Sequence, residues 1–315
     1  MPSTRGDRQV PPGDHPGTGS QQHAREDGWW PWAFVLPFFS GLVVFSIWPT
    51  LKTGFDSLTK SGPFGGASWV GLANYATLFT DPAVYRAALN TVILAAILMV
   101  SVPLALVLAG LVNRKGLRGA SVYRVIYFLP YVTMPTAIAL VWRLIYNHDS
   151  GVLNWVLGLV GIDGPYWIST PWYSLVAVGI LGVWSLLGFN MIIYLAAMRR
   201  VPPELYEAAD LDGAGPWRQL FNVTFPMLRA TTFFVSVVTL IAGLQTFDLL
   251  YALLGPTNPV MSKSQSLVYL FYQQGFEIHN QGYAAAIAVL IVVLIGCVTA
   301  VQFAFRSRRD DEIAY

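Results

Sequence analysis

Four carboxylates crowd one stretch of a chain that is otherwise poor in charge. Glu204, Glu207, Asp210 and Asp212 all fall within 199–229, RRVPPELYEAADLDGAGPWRQLFNVTFPMLR. Pro202-Pro203 can open a helix there, because proline at the first helical position gives up no needed N–H. Glu204, Glu207 and Asp210 then occupy its early turns, where the positive end of the helix dipole favours carboxylates. Glu207 stands beside the small pair Ala208-Ala209, so a partner surface could approach closely and pair that charge with an Arg or Lys. Gly213 and Gly215 permit a tight turn, and Pro216 can begin a second short helix. In that helix Trp217, Leu220 and Phe221 recur at i, i+3, i+4 as an apolar stripe, which Pro226 is expected to end. Pattern alone supports two readings: a docking element, or a solvated helical hairpin that only connects its neighbours.

A second group of polar residues sits inside long apolar runs. Gly182, Ser185, Phe189 and Asn190 lie at i, i+3, i+7, i+8 on one face of a helix. Gln245 and Thr246 follow in a later run, with Asp248 nearer its end. Such groups can line a path for a polar solute or tie helices together by hydrogen bonds, and both readings stay open. Phe189 could stack on a sugar or simply pack. Catalytic chemistry is poorly served: no nucleophile, base or metal-ligand cluster falls within the runs. His15, His23, His148 and His279 are dispersed, and the single Cys297 lies in an apolar run where a thiol behaves as a small hydrophobe.

The elements that must position these residues follow from composition. Only 11% of the 315 residues are charged, 55% are hydrophobic and the net charge is +2. A soluble domain carries about 25% charge to satisfy its hydrated surface, so lipid must solvate most of this one. The same figures exclude a disordered chain and a basic nucleic-acid binder. Six apolar runs approach the ~20 residues needed to cross a bilayer: 31–51, 87–112, 122–146, 172–198, 230–254 and 283–305. Pro130 and Pro135 predict a kinked or broken third span, and Arg124 and Arg143 near its ends should snorkel. Alternating ~10-residue strands of a barrel are absent, so the expectation is an all-α polytopic membrane protein with six transmembrane helices.

Placing the N-terminus in the cytoplasm puts fourteen of the nineteen Lys and Arg inside, and the positive-inside rule then sets both termini there. Residues 1–29 are too polar to bury a core and read as a disordered cytoplasmic tail. Residues 30–306 form the membrane domain, with the 199–229 loop inside, and 307–315 make a short cytoplasmic C-terminal tail. Trp29, Trp30 and Trp32 suit an aromatic belt, and Arg306, Arg308 and Arg309 an anchor near anionic lipid. The outer loops are 52–86, 147–171 and 255–282. Asn90-Thr91 reads as interfacial capping and His148-Asp149 as turn chemistry.

Several strings carry a resemblance. Glu207-Ala208-Ala209 with Asp212-Gly213-Ala214, then Phe221, Val223, Phe225 and Pro226, is similar to the EAA loop of ABC importer permeases. Phe225 stands where that pattern usually has Leu, and Arg229 where a second Pro is common. Trp69–Tyr75 with Leu78–Pro82, Leu129-Pro130, Trp142, Gly151–Asn154, Thr246–Tyr251 and Gly282–Ala286 resemble the carbohydrate-uptake branch of that family, the maltose and glycerol-phosphate type. The resemblance covers 30–306 and implies a type I ABC importer permease fold in a bacterial cytoplasmic (inner) membrane. It implies a second, different permease as heterodimer partner, two copies of an ATP-binding subunit, and an extracytoplasmic solute-binding protein. No cofactor would bind this chain. ATP and Mg would sit on the ATPase subunits, in keeping with the absence of G-x-x-x-x-G-K-[ST] here.

By resemblance, Glu207 supplies the charge contact to the ATPase, Ala208 and Ala209 the close packing, Gly213 the turn and Asp212 local hydrogen bonds. The solute would meet Gly182, Ser185, Phe189, Asn190, Gln245 and Thr246, and Asp248 would serve an outer gate or structural role. The competing class is a self-sufficient secondary transporter or channel, which would use intramembrane acids or His for ion coupling.

Overall fold

The computed structural model describes residues 30–61, 66–114 and 116–313. The expected tail over 1–29, with Trp29, lies outside them. The chain divides after Lys52 into two units.

In the first unit α1 (Trp30–Leu42) passes through a π-helical turn, Val43–Ile47, into α2 (Trp48–Asp56), whose residues from Thr53 onward are counted with the second unit. Pro49 has no N–H to offer the preceding turn, and a π turn lets the helix continue past it. The second unit continues with an antiparallel pair, β1 (Thr59–Ser61) and β2 (Ala67–Trp69), in which Thr59 faces Trp69. α3 (Ala73–Leu78) follows, and Asn74 donates to the carbonyls of Ser57 and Thr59, each at 2.8 Å.

The second span begins earlier than its hydropathy suggested. Asp81 caps α4 (Pro82–Met99) by accepting from the Ala83 N–H at 2.8 Å, with Pro82 in the first turn. The same carboxylate accepts from the Tyr283 hydroxyl at 2.8 Å. α5 (Ser101–Val112) continues the line after an interruption at Val100, where Pro103 leaves the Met99 carbonyl without its helical donor.

α6 (Ala120–Val132) and α7 (Pro135–Ile145) meet at 101°. Pro130 stays inside α6, while Pro135 makes the break by holding Met134 in an extended conformation, ψ 128°. α8 (Val152–Leu159) lies in the loop beyond. α9 (Pro171–Met198) has 28 residues without a charge and packs against α4, α5 and α6. At Gly188 the α6 backbone comes so near that a Cβ would collide with the Tyr127 carbonyl.

α10 (Pro203–Leu211), α11 (Pro216–Gln219), a π turn over Leu220–Thr224 and α12 (Phe225–Met227) build the 199–229 loop. Pro226 does not end the second helix, because it occupies the first turn of α12 where no donor is required. The chain turns two residues later, at Leu228, and enters α13 (Arg229–Leu244) at 78°. The helix of the fifth span ends sooner than expected, since Gln245–Phe247 leaves it before α14 (Asp248–Leu254). Non-helical backbone at depth needs partners from the protein, and the Thr246 carbonyl accepts from the Ser266 hydroxyl at 2.8 Å. α15 (Met261–Ser264), α16 (Leu267–Tyr272) and a π turn over Gln273–Glu277 lead to α17 (Gln281–Ile313). Residues 307–313, at the start of the expected C-terminal tail, are helical within α17.

Helices over 33–56, 82–112, 171–198 and 281–306 are each long and apolar enough to cross a membrane, and the bent pairs over 120–145 and 216–244 bring the spans to six. Among the described residues three buried clusters hold the second unit together, one of them joining Leu78 and Val84 to Leu267, Leu270 and Ile287. Of the other two, one gathers Leu94, Val178, Leu181, Leu250 and Tyr269, and the other Ala105, Met191, Tyr194 and Val235. α9 runs through both of these, so it is the central pillar around which the polar residues are arranged.

Candidate functional site

The carboxylate-rich segment folds into a hairpin made by local bonds. α10 takes Pro203 at its start and Glu204 in its first turn, as proline and dipole chemistry favour. It stops at Gly213, whose φ of +67° is the left-handed conformation that a Cβ penalises. The Ala214 N–H donates to the Ala209 carbonyl at 2.9 Å and the Gly213 N–H to Asp210 at 3.0 Å, closing a Schellman turn. Gln219 Nε2 then donates to the Ala214 carbonyl at 3.0 Å and to Asp210 Oδ1. The local side-chain bond expected of Asp212 is thus made by Asp210. Asp212 is exposed at the helix end and its carboxylate accepts no hydrogen bond among the described residues.

Glu204, Glu207, Ala208 and Leu211 are exposed and share one face of α10 at i, i+3, i+4, i+7. Leu211 is 91% exposed. Ala209, half-buried, turns toward the body of the protein. The expected apolar stripe divides. Leu220 is buried against Gly110 of α5, whereas Trp217 and Phe221 are exposed and stack on each other, centroids 6.4 Å apart. The π turn that begins at Leu220 accounts for the split, since it changes the angular step between neighbours. Tyr206 is bonded to Thr224 Oγ1 at 3.0 Å, which fastens α10 onto that turn. Chemically, the outer surface offers carboxylates, a small-residue saddle and apolar groups with no cover, the composition of a docking face.

The span residues have a different fate. Asn190, 1% exposed, donates from Nδ2 to Ser101 Oγ at 3.0 Å and to Thr239 Oγ1 at 3.1 Å. Its amide joins α5, α9 and α13, which is the helix-tying alternative. Gly182 is buried against Leu98. Ser185 and Phe189 remain partly exposed on α9, and Phe189 stacks on Tyr131 of α6 at 4.5 Å. Gln245 is exposed at the break after α13, whereas Thr246 is buried and donates to the Gly243 carbonyl at 2.9 Å. The six residues therefore do not form one continuous lining in this state.

Two long-range devices escaped the sequence. Asn90 donates to the carbonyls of Lys263 and Gln265 at 2.9 and 3.0 Å, and Thr91 Oγ1 accepts from the Leu267 N–H at 2.9 Å. These residues hold the 263–267 segment rather than cap an interface. Arg143 does not reach out to an interface either. Its Nε donates to the Leu253 carbonyl at 2.7 Å, where the end of α14 leaves carbonyls without helical partners. It lines a cleft of about 480 Å³ together with Asp248, Thr136 and Tyr251. Polar residues inside apolar runs were the available signal, but not their partners, which lie over a hundred positions away.

Comparisons with known proteins agree with this architecture. Residues 101–311 match a family described as binding-protein-dependent transport system inner membrane component. The arabinooligosaccharides transport system permease protein AraP of Halalkalibacterium halodurans is 30% identical over 86% of each chain. The sn-glycerol-3-phosphate transport system permease protein UgpA of Yersinia enterocolitica is 32% identical over 89% of this chain and 95% of the relative. Among solved structures, a bacterial ABC transporter involved in import of the acidic polysaccharide alginate superposes with a TM-score of 0.77. It is 23% identical and covers 89% of this chain and 96% of its own. The likeness to that structure is one of fold. Through the family match and the two permease relatives, the chain belongs to the binding-protein-dependent transport system inner membrane components.

Proposed function

We propose that this chain is one of two different permease subunits of an ATP-driven bacterial importer that takes up a neutral saccharide. The observation that carries the reading is the exposed α10 face of Glu204, Glu207, Ala208 and Leu211, fastened to the second arm of the hairpin by Tyr206–Thr224 and, through Leu220 against Gly110, to α5. A groove on an ATP-binding subunit would take that face, with Glu207 paired to a basic group, Ala208 admitting close approach, Ala209 letting α10 lie close on the body of the protein, and Gly213 with Asp212 shaping the end of the helix. Because the hairpin is continuous with α13 and clamped on α5, closure of two ATPase subunits would rock the spans. ATP and Mg belong to those subunits and an extracytoplasmic binding protein delivers the solute. Residues 30–306 make up the permease domain. Both termini face the cytoplasm, in keeping with the excess of Lys and Arg on that side.

The path runs along α9 and the break after α13. Ser185, Phe189 and Gln245 offer it polar and aromatic surface, while Gly182, Asn190 and Thr246 hold its walls. A neutral solute fits the charge placement. α9 is free of basic residues, and the Arg143 cation shares its cleft with the Asp248 carboxylate. Of the relatives, AraP is named for arabinooligosaccharides and UgpA for glycerol phosphate, and the charge argument favours the first.

The test is reconstitution with both partner subunits and the binding protein in proteoliposomes. Arabinooligosaccharide should stimulate ATP hydrolysis and enter the vesicles, whereas sn-glycerol 3-phosphate should do neither. Stimulation by glycerol phosphate alone overturns the neutral solute. Uptake that proceeds without ATP, driven by an ion gradient, overturns the importer in favour of a secondary transporter.

A further inference from the structure

The loop between α7 and α9 is far more built than a connection needs to be. Asn147 Oδ1 accepts from the N–H groups of Asp149 and Ser150 at 3.0 and 2.9 Å, fixing the turn into α8. Asn154 then pins the returning segment: Nδ2 donates to the His148 carbonyl at 3.1 Å and contacts His148 Nδ1 at 3.2 Å, while Oδ1 accepts from Trp167 Nε1 at 2.7 Å. His148 is stacked on Tyr166 with ring centroids 3.7 Å apart. Between these walls lies a cavity of about 670 Å³, within the ~300–1,000 Å³ typical of small-molecule sites.

The lining has a recognisable chemistry. Trp155 and Tyr166 present large aromatic surfaces that are 66% and 57% exposed. Asp149 and Asp163 also line it, and their carboxylates accept no hydrogen bond among the described residues. Gly158, one helical turn after Trp155, adds open floor, since a Cβ there would meet nothing within 4 Å. Flat apolar faces beside acceptor-only carboxylates suit a ligand with C–H faces and many hydroxyl donors, and the two negative charges disfavour an anion.

We infer that this cavity is a saccharide-binding site on the extracytoplasmic loop, separate from the path between the spans, that takes neutral oligosaccharides and rejects phosphorylated or acidic ones. The choice of ligand rests on the saccharide reading above. Trp155 and the His148–Tyr166 pair stack against sugar rings, and Asp149 and Asp163 accept hydroxyl hydrogens.

The full chain in lipid nanodiscs, studied by saturation-transfer NMR with arabinotriose, maltotriose and sn-glycerol 3-phosphate, tests this. Both trisaccharides should receive saturation and glycerol phosphate should not. Trp155→Ala should reduce the transfer at least fivefold. Gly158→Leu, whose Cβ would meet nothing within 4 Å and whose branch would extend over the floor, should do the same at an unchanged melting temperature. Absence of transfer to either sugar overturns the site, as does transfer that survives Gly158→Leu. It is equally overturned if the two variants weaken capture of the binding protein and leave trisaccharide binding intact, which would make the loop a protein-docking surface. Uptake assays on the complete transporter separate the two readings. Saccharide uptake without cavity binding removes only the site. Cavity binding without saccharide uptake supports the site and removes the saccharide as transported solute.

Discussion

The hairpin over 203–227 and the buried knot of Ser101, Asn190 and Thr239 are both polar structures in an apolar protein, and they differ in what they leave unpaired. In the knot, the Asn190 amide is shared among three helices and has almost no exposed surface. In the hairpin, local bonds close the turn and engage one carboxylate, that of Asp210, while the equally exposed carboxylates of Glu204, Glu207 and Asp212 accept no hydrogen bond among the described residues. Polar atoms that already have partners can hold a bundle together. Exposed ones, mounted on a rigid turn, are available to something else. The contrast separates structural from interactive polarity without reference to residue type.

The strongest way to break the interior half of the comparison is Gly188→Val, at the point where α6 and α9 touch through backbone. Overpacking a well-filled core costs about 1–3 kcal/mol, occasionally more, and here the obstacle is a carbonyl rather than a flexible side chain. Little folded protein should be recovered in detergent, as judged by size-exclusion chromatography. A monodisperse variant with wild-type thermal stability would mean that the two helices are not held in this contact.

Glu207→Lys addresses the exterior half. It reverses an exposed charge and should leave the melting temperature unchanged. Opposing the basic groove proposed for the ATP-binding subunit with a like charge costs several kcal/mol, so coupled ATP hydrolysis and uptake should fall by at least about tenfold. Normal uptake in this variant would remove α10 from the coupling path. Third in size is Asn190→Ala. Interhelical hydrogen bonds in membranes contribute about 0.6 kcal/mol each and up to ~1.7, so losing two should lower the thermal midpoint by a few degrees. The solute concentration for half-maximal stimulation should stay constant. A shift in that concentration at unchanged stability would instead place Asn190 in contact with solute.

Legibility from sequence follows the same division. The hairpin could be read because its rules are local: Pro203 at the start, Glu204 in the first turn, Gly213 at the stop. Even there the π turn at Leu220 was hidden, so Trp217, Leu220 and Phe221 looked like a single stripe. The spans were found by hydropathy, but their ends were not. Asp81 and Pro82 start a helix before its apolar run begins, and the Gln245–Phe247 break carries no proline or glycine to announce it. Hydropathy cannot register that break, because its compensation is a bond from Ser266, twenty residues on. The same holds for Arg143, which a helix end captures from across the bundle.

Gly213→Ala is the smallest change and the most discriminating, because the site has no steric component. A Cβ at 213 would meet nothing within 4 Å, so only the φ of +67° resists it. The left-handed conformation costs a Cβ-bearing residue about 1–2 kcal/mol, and asparagine tolerates it better than alanine. Gly213→Ala should therefore loosen the turn that carries Ala214 and Gln219, lowering coupled ATP hydrolysis by roughly fivefold, the equivalent of about 1 kcal/mol at room temperature. Gly213→Asn should recover most of that loss, and neither variant should affect the buried knot or the melting temperature of the bundle. If alanine and asparagine are equally impaired, the glycine is needed for a partner's close approach rather than for its dihedral angle. The exposed face would then extend beyond α10 to include the turn itself.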